Sequence, residues 1–234
     1  MDRCLLCLHE LPIFQGLSKS EFSSICLNTT KKSLKKGSVL FRQGEYISNI
    51  YLIKTGKLKL VQTKEDGREL ILSIIGPGEV LGETALFQKQ ELLYSAVALE
   101  NINFCCFTPK QFENLIKQNP TFALKIINYL ASKLHSVLQQ VGESSGVSVR
   151  EKLLRLLFRL ADEYGQKTTE GTIIEFKITQ QEMANMIGAS RVMVAKALKE
   201  LKESGIVGNR RSYYTLKTDP CVQINFTNTF SEIE

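Results

Sequence analysis

The sequence has no tryptophan, only two histidines and no long apolar segment among its 234 residues. With His9 and His135 alone it offers no Ser/His/Asp constellation, and it lacks a glycine-rich phosphate loop, so an enzyme is not expected. Its apolar runs are too short to span a membrane, and its first residues lack the apolar stretch of a signal peptide. These absences predict a cytoplasmic protein with no membrane partner.

The composition is that of an ordinary globular chain with a basic excess. Hydrophobic residues make up 43% and charged residues 23% of the chain, and the formal net charge is +6. Residues 150–217 contain thirteen Lys or Arg and eight Asp or Glu, a net charge of +5. This concentration of positive charge permits a nucleic-acid partner for the C-terminal region.

Glycines punctuate residues 30–109 and separate short runs of β-forming residues. Asp66-Gly67 lies between two such runs, residues 57–63 and 69–75, and predicts a tight β-hairpin. Many short strands at this spacing are typical of a small barrel or jelly roll.

Apolar residues change to a helical spacing between residues 119 and 140. Steps of three and four residues separate the members of one narrow stripe: Ile127, Leu130, Leu134, Val137 and Val141. Such a stripe indicates the seam of a two-helix coiled coil, and the alternative is a helix packed on its own domain. Residues 142–146 then form a short break before an amphipathic helix over residues 149–164.

Residues 178–202 have the pattern of a helix-turn-helix. Thr179 and Glu182 form a capping box, Gly188 permits a sharp turn, and Ser190 caps a second helix. The spacing of Val194, Leu198 and Leu201 predicts that they are buried, which leaves a cationic face opposite them. A cationic helix face with small residues between its charges fits the major groove of DNA.

The candidate DNA-binding residues lie on these two helices and on a strand-turn-strand over residues 206–216, which is interpreted as a wing. Arg191 suits a bidentate pair with guanine, and Lys196 and Lys199 suit phosphates. The full set is Thr179, Gln180, Gln181, Ser190, Arg191, Val192, Ala195, Lys196, Lys199, Arg210 and Arg211.

Together these features resemble the CRP/FNR family of bacterial transcription regulators. The matching stretches of the first half are residues 36–45, 56–60, 66–69 and 77–87, and the order of the later elements also matches. The resemblance implies an α+β fold: an N-terminal β-roll (a jelly roll like a cyclic-nucleotide-binding domain) over residues 1–118, a dimerisation helix and hinge over 119–146, and a winged helix-turn-helix over 147–234.

The same resemblance implies a homodimer that binds a two-fold symmetric operator in duplex DNA. RNA polymerase is a further candidate partner, and an effector in the β-roll would reorient the DNA-binding domains. An effector-binding module that does not bind DNA is the alternative, and the cationic face that begins at Arg191 argues against it.

The effector pocket departs from the pattern of the cyclic-nucleotide-binding relatives, in which Gly-Glu-x-x-Leu is followed by Arg-Ser or Arg-Thr. Gly82 and Glu83 match, but Tyr94 replaces the Arg, and residues 69–149 contain no arginine. A buried phosphate needs a charge-assisted partner, so cyclic AMP is not the expected effector. The pocket candidates are Gly82, Glu83, Thr84, Tyr94 and Ser95.

The recognition helix departs from the family as well. Typical relatives carry a glutamate where this sequence has Val192. Valine cannot accept a hydrogen bond from cytosine, but it can contact a thymine methyl group. The operator is therefore expected to differ from the usual family palindromes.

The cysteines suggest a signal, and the cofactor stays open. Cys4 and Cys7 have the spacing of a metal-binding pair, and Cys106 lies three residues before Pro109. The resemblance to the oxygen-sensing, FNR-like branch implies a [4Fe–4S] cluster on such cysteines, for which Cys26 or His9 would be the fourth ligand. A disulfide switch between an N-terminal cysteine and Cys106, or thiols without a sensory role, are the alternatives. If the thiols have no sensory role, the expected signal is a small organic effector in the roll.

Overall fold

The computed structural model of the chain describes residues 29–86, 91–118, 120–142, 147–210 and 212–217. The chain forms two compact units that divide after residue 144. The long helix predicted as a separate part lies in the first unit, together with the β-rich residues. No helix in the described part of the chain is long and apolar enough to cross a membrane.

The first unit is β-rich. Its strands are β1 (Thr30–Leu34), β2 (Val39–Phe41), β3 (Ile50–Thr55), β4 (Leu58–Thr63), β5 (Glu69–Ile75), β6 (Val80–Leu81), β7 (Ser95–Ala98) and β8 (Ile102–Phe107). A 3-10 helix covers Glu83–Leu86, and two α-helices follow the strands: α1 (Pro109–Gln118) and α2 (Pro120–Gly142).

Two four-stranded antiparallel sheets form the β-roll, in the orders β1-β8-β3-β6 and β2-β7-β4-β5. The predicted hairpin is confirmed, because β4 and β5 pair from Leu58 opposite Ile75 to Thr63 opposite Glu69. Gly67 adopts a φ of 79° in the connecting turn, a left-handed conformation that glycine tolerates. The predicted α+β fold with an N-terminal β-roll is confirmed.

Strand β8 has a buried side chain on each of its two faces from Phe104 onward. Cys106 and Phe104 point into the interior of the roll, where they contact the apolar cluster between the sheets. Cys105 and Phe107 point to the opposite face and pack against α1 and α2 through Phe112 and Phe122. The two neighbouring cysteines face opposite sides, as expected for a strand, and both are buried.

The second unit contains α3 (Val149–Tyr164), β9 (Gly165–Thr168), β10 (Gly171–Ile174), α4 (Gln180–Ile187), α5 (Arg191–Glu203), β11 (Val207–Arg210) and β12 (Tyr213–Leu216). Its strands form one sheet in the order β11-β12-β10-β9. Leucines of α3 form its core with Met183 of α4 and Val194 and Leu201 of α5. This is the predicted winged helix-turn-helix architecture.

Two glycines of the roll share a left-handed backbone and differ in their surroundings. Gly56 and Gly67 have φ values of 82° and 79°, but a Cβ on Gly56 would lie 2.4 Å from the carbonyl oxygen of Asn101, whereas a Cβ on Gly67 meets nothing. Gly67→Ala therefore carries only the backbone cost of about 1–2 kcal/mol, and Gly56→Ala should destabilise by at least about 1 kcal/mol more. Urea unfolding of both variants measures the difference; equal losses would contradict it.

Candidate nucleic-acid interface and effector site

Hydrogen-bonded caps fix the two helices of the predicted helix-turn-helix. The Thr179 hydroxyl accepts from the Glu182 N–H at 3.1 Å, and the Glu182 carboxylate accepts from the Thr179 N–H at 2.9 Å. Gly188 ends α4 in a left-handed conformation, with its N–H donating to the Ala184 carbonyl. The Ser190 hydroxyl then accepts from the Met193 N–H at 3.2 Å and starts α5. The predicted caps and turn are confirmed.

Helix α5 has one buried and one exposed face. Val194, Leu198 and Leu201 are buried as their spacing predicts. The other face exposes Arg191, Val192, Lys196 and Lys199, with Ala195 half-buried between them. Val192 is 78% exposed. The helical spacing did not identify Met193 as a candidate DNA-binding residue, although Met193 is half exposed beside Val192.

The cationic side chains of this face differ in what they contact. Lys199 lies 3.8 Å from Glu203, and both side chains are well exposed. Such a pair contributes little, so Lys199 is available to a phosphate. Lys202, in contrast, lies over the ring of Tyr214 at 5.9 Å from its centroid. Lys202 therefore ties the end of α5 to the wing, a contact between residues twelve apart that no local pattern reveals.

The wing is the antiparallel hairpin of β11 and β12, with Arg210 opposite Tyr213. Arg210 is exposed at its tip, as predicted, and Arg211 lies outside the described residues. On α4, the exposed Gln181 donates to the Asn185 side chain at 2.8 Å, and Gln180 is half-buried. The predicted DNA-binding residues that the structure describes thus lie on α4, α5, their caps and the wing.

The candidate effector residues follow β6 and begin β7. A Cβ on Gly82 would lie 2.4 Å from the Asn49 carbonyl oxygen, so this position requires glycine for the fold. Glu83 and Thr84 are half-buried in the 3-10 helix. The Ser95 hydroxyl accepts from the Gln43 N–H at 2.9 Å, which gives it a structural partner. The sequence gives no local sign of this bond, because its partners are 52 residues apart.

Tyr94 packs against the interior of the roll. Its ring centroid lies 6.1 Å from that of Phe41, which also stacks near Tyr51. Burial raises the pKa of the Tyr94 hydroxyl, and the nearby Glu83 carboxylate raises it further. The Tyr94 hydroxyl is therefore a neutral group with the Glu83 carboxylate nearby.

Of the cysteine candidates, only Cys106 lies within the described residues; Cys4, Cys7 and Cys26 lie outside them. Cys106 is buried opposite Thr30, at the start of β1. Burial raises the pKa of its thiol, although Lys32 opposes this effect. A raised pKa lowers the thiolate fraction at neutral pH and hence the reactivity of the thiol. The described residues hold no group of three metal-ligating side chains.

The predicted seam forms an exposed apolar stripe on α2. Ile127, Leu130, Leu134 and Val137 are each more than two-fifths exposed, and Leu124 and Leu138 widen the stripe. The side chain of Val141 lies outside the described part. An apolar stripe of this length on a water-exposed helix is typical of a surface that binds another protein chain.

Two family models match the chain. Residues 31–119 match the cyclic nucleotide-binding domain, and residues 151–219 match the Crp-like helix-turn-helix domain. The first match covers the β-roll and α1, and the second covers the winged unit described above.

Characterised relatives match over most of the chain. A "CRP-like cAMP-activated global transcriptional regulator" of Mycobacterium tuberculosis is 26% identical over 193 residues, which cover 82% of this chain and 86% of the relative. A "Cyclic AMP receptor protein" of Thermus thermophilus is 29% identical over 196 residues, which cover 84% and 88%. The solved structure of a CooA mutant from Carboxydothermus hydrogenoformans has the same fold, with a TM-score of 0.73 over 91% of this chain and 92% of that one, at 21% identity.

Proposed function

Because the chain belongs to the CRP/FNR family of DNA-binding transcription regulators, a non-enzymatic family, we propose that it is a homodimer that binds a two-fold symmetric operator through α5 and responds to a signal received in its β-roll. The observation that carries the proposal is the exposed face of α5, on which Arg191, Lys196 and Lys199 surround small and apolar side chains.

The exposed face of α5 supplies both kinds of contact that an operator requires. Arg191, at the first position of the helix, offers paired donors to guanine O6 and N7, and Val192 offers methyl groups to thymine. Lys196, Lys199 and the wing residue Arg210 neutralise phosphates, which positions the helix without reading sequence. The rigid caps of α4 and α5 hold these side chains in one geometry.

The exposed stripe on α2 supports dimerisation through a parallel pair of these helices. Burial of a Leu or Val side chain stabilises by about 1.5–3 kcal/mol, and the stripe provides several such residues. Two-fold symmetry then presents two copies of α5 to successive major grooves about 34 Å apart.

The signal in the roll is a small organic effector or the redox state, and we propose the organic effector. The half-buried Tyr94 and Glu83 present a hydroxyl donor and a carboxylate acceptor to such a molecule. A redox signal through Cys4, Cys7, Cys26 and Cys106, with or without an iron–sulfur cluster, is the second hypothesis. The raised pKa of Cys106 disfavours a rapid thiol switch at that residue.

Substitution of Arg191 and Lys199 separates base reading from phosphate contact. Arg191→Ala should weaken binding to the selected operator by about 1–3 kcal/mol and relax its sequence preference, whereas Lys199→Ala should weaken all sequences alike and reduce the salt dependence. Operators are first selected from random duplexes, and affinities are then measured at several salt concentrations. Failure to enrich any two-fold motif, with or without oxygen, would refute the proposed function.

A charge at Leu134 tests the dimer seam. Leu134 is 61% exposed in the isolated chain, so Leu134→Glu should leave its fold intact. In the dimer two like charges would meet at the seam, which is costly, and the variant should sediment as a monomer with no specific DNA binding. His135→Glu, also on the exposed surface of α2 and outside the stripe, is the control and should remain dimeric. A dimeric Leu134→Glu would place the interface elsewhere.

Cyclic AMP is not the effector that this pocket favours. A phosphate would meet the neutral Tyr94 hydroxyl and the Glu83 carboxylate, with no arginine in residues 69–149 to pair with it. Calorimetry with millimolar cyclic AMP should therefore detect no binding heat, with a cAMP-activated relative in the same buffer as the positive control. Micromolar affinity would contradict the pocket assignment.

A further inference from the structure

Glu79 connects the β-roll to the long helix. Its side chain is only 14% exposed, in the turn between β5 and β6. Oε2 accepts from the Gly76 N–H of the same turn at 2.6 Å, while Oε1 accepts from the Tyr129 hydroxyl of α2 at 3.4 Å and contacts Nζ of Lys133. One carboxylate oxygen therefore binds the roll and the other binds the helix.

The turn that carries Glu79 is itself held in place. The Glu79 carbonyl accepts from the Ile53 N–H at 3.0 Å, and the Gly78 N–H donates to the Ile53 carbonyl at 2.9 Å. These bonds attach the turn to β3, a strand whose neighbour is β8. The carboxylate is thus a fixed point on the roll rather than a mobile surface group.

The same contacts are the last described ones on the roll-facing side of α2. Phe122 is buried in the apolar cluster beneath β8, and Ile126 packs against that cluster. Beyond Ile126, Tyr129 and Lys133 are the described side chains of α2 that are not exposed. Residues 122, 126, 129 and 133 share one helix face. The described contacts that hold the helix to the roll after Ile126 are therefore those of Tyr129 and Lys133 with Glu79, and that of Tyr129 with the Val80 backbone.

The chemistry of the contact is charge-assisted. The Lys133 ammonium pairs with the carboxylate and lies 5.9 Å from the centroid of the Tyr129 ring. Burial, the Glu79 carboxylate and the nearby Glu83 raise the pKa of Tyr129, so its hydroxyl stays a neutral donor.

We propose that Glu79, Tyr129 and Lys133 form a latch that positions α2 on the β-roll. The latch depends on these contacts and not on the proposed function of the chain. Tyr129 and Lys133 are positioning residues, because they hold α2 on the roll. They do not belong to the exposed apolar stripe of the same helix.

Amide hydrogen exchange of residues 127–138 tests the latch directly. Lys133→Met and Glu79→Gln should each speed exchange there by about three- to tenfold, the effect of a partly exposed charge-assisted contact. The double variant should exchange no faster than the faster single variant, since Lys133→Met removes an ion pair that Glu79→Gln already breaks. Glu113→Gln and Lys117→Met, which break an exposed pair 3.9 Å apart on α1, are the controls and should leave residues 127–138 unaffected.

Two further variants distinguish positioning from general stability. Lys133→Arg keeps the charge and should keep the protection, and Tyr129→Phe keeps the ring but should lose part of the protection. If Glu79→Gln does not fold, Lys133→Met and Tyr129→Phe, both on the helix, still decide the question. Unchanged exchange in these two variants, or additive effects in the double variant, would overturn the latch.

Oligomeric state and DNA binding are kept out of this measurement. Exchange is recorded without DNA, at a concentration at which sedimentation gives every variant the same oligomeric state. Unchanged exchange in the variants would then say nothing against the operator experiment. Failure to select an operator would likewise leave the exchange result valid.

Discussion

The burial of β8 on both faces is the constraint on which the first unit depends. One face, through Phe104 and Cys106, completes the interior between the two sheets. The other, through Cys105 and Phe107, forms the apolar surface on which α1 and the beginning of α2 pack. A polar side chain at any of these four positions would lose its water without a hydrogen-bond partner, a cost of several kcal/mol. Strand β8 therefore contributes buried side chains both to the interior of the roll and to the surface on which the helices pack.

The winged unit depends on a comparable division of faces, within a helix rather than a strand. Val194, Leu198 and Leu201 anchor α5 against α3, so its opposite face is presented rigidly to solvent. Lys202 extends this arrangement to the wing through its contact with Tyr214. This contact links the end of α5 to the hairpin that carries Arg210, while Arg191, Lys196 and Lys199 stay exposed on α5.

Local patterns predicted the features that depend on residues close in sequence. The β4–β5 hairpin follows from Asp66-Gly67, the start of α4 from Thr179 and Glu182, and the buried face of α5 from its spacing. Each of these depends on hydrogen bonds or periodicities within a few residues, where the chemistry of the side chain decides the outcome.

Contacts between distant residues were not predictable in this way. The bond from Gln43 to Ser95 joins residues 52 apart, and Tyr129 is 50 residues from Glu79. The burial of Cys105 depends on helices that follow it in the chain, so strand alternation alone predicted opposite faces but not burial of both. Packing of distant segments determines these contacts, and no window of sequence contains both partners.

The two faces of α2 differ in how strongly they hold their partners. The outward face carries six apolar residues that are 43–62% exposed, so each has about half of the 1.5–3 kcal/mol of full side-chain burial left to gain in the proposed dimer. After Ile126, the described contacts of the roll-facing side are those of Tyr129 and Lys133 with the Glu79 carboxylate and that of Tyr129 with the Val80 backbone. The dimer contact would thus be the stronger one, and the helix could shift on its roll while it stays paired. Allosteric couplings are typically about 1–3 kcal/mol, a size that a single charge-assisted contact can supply.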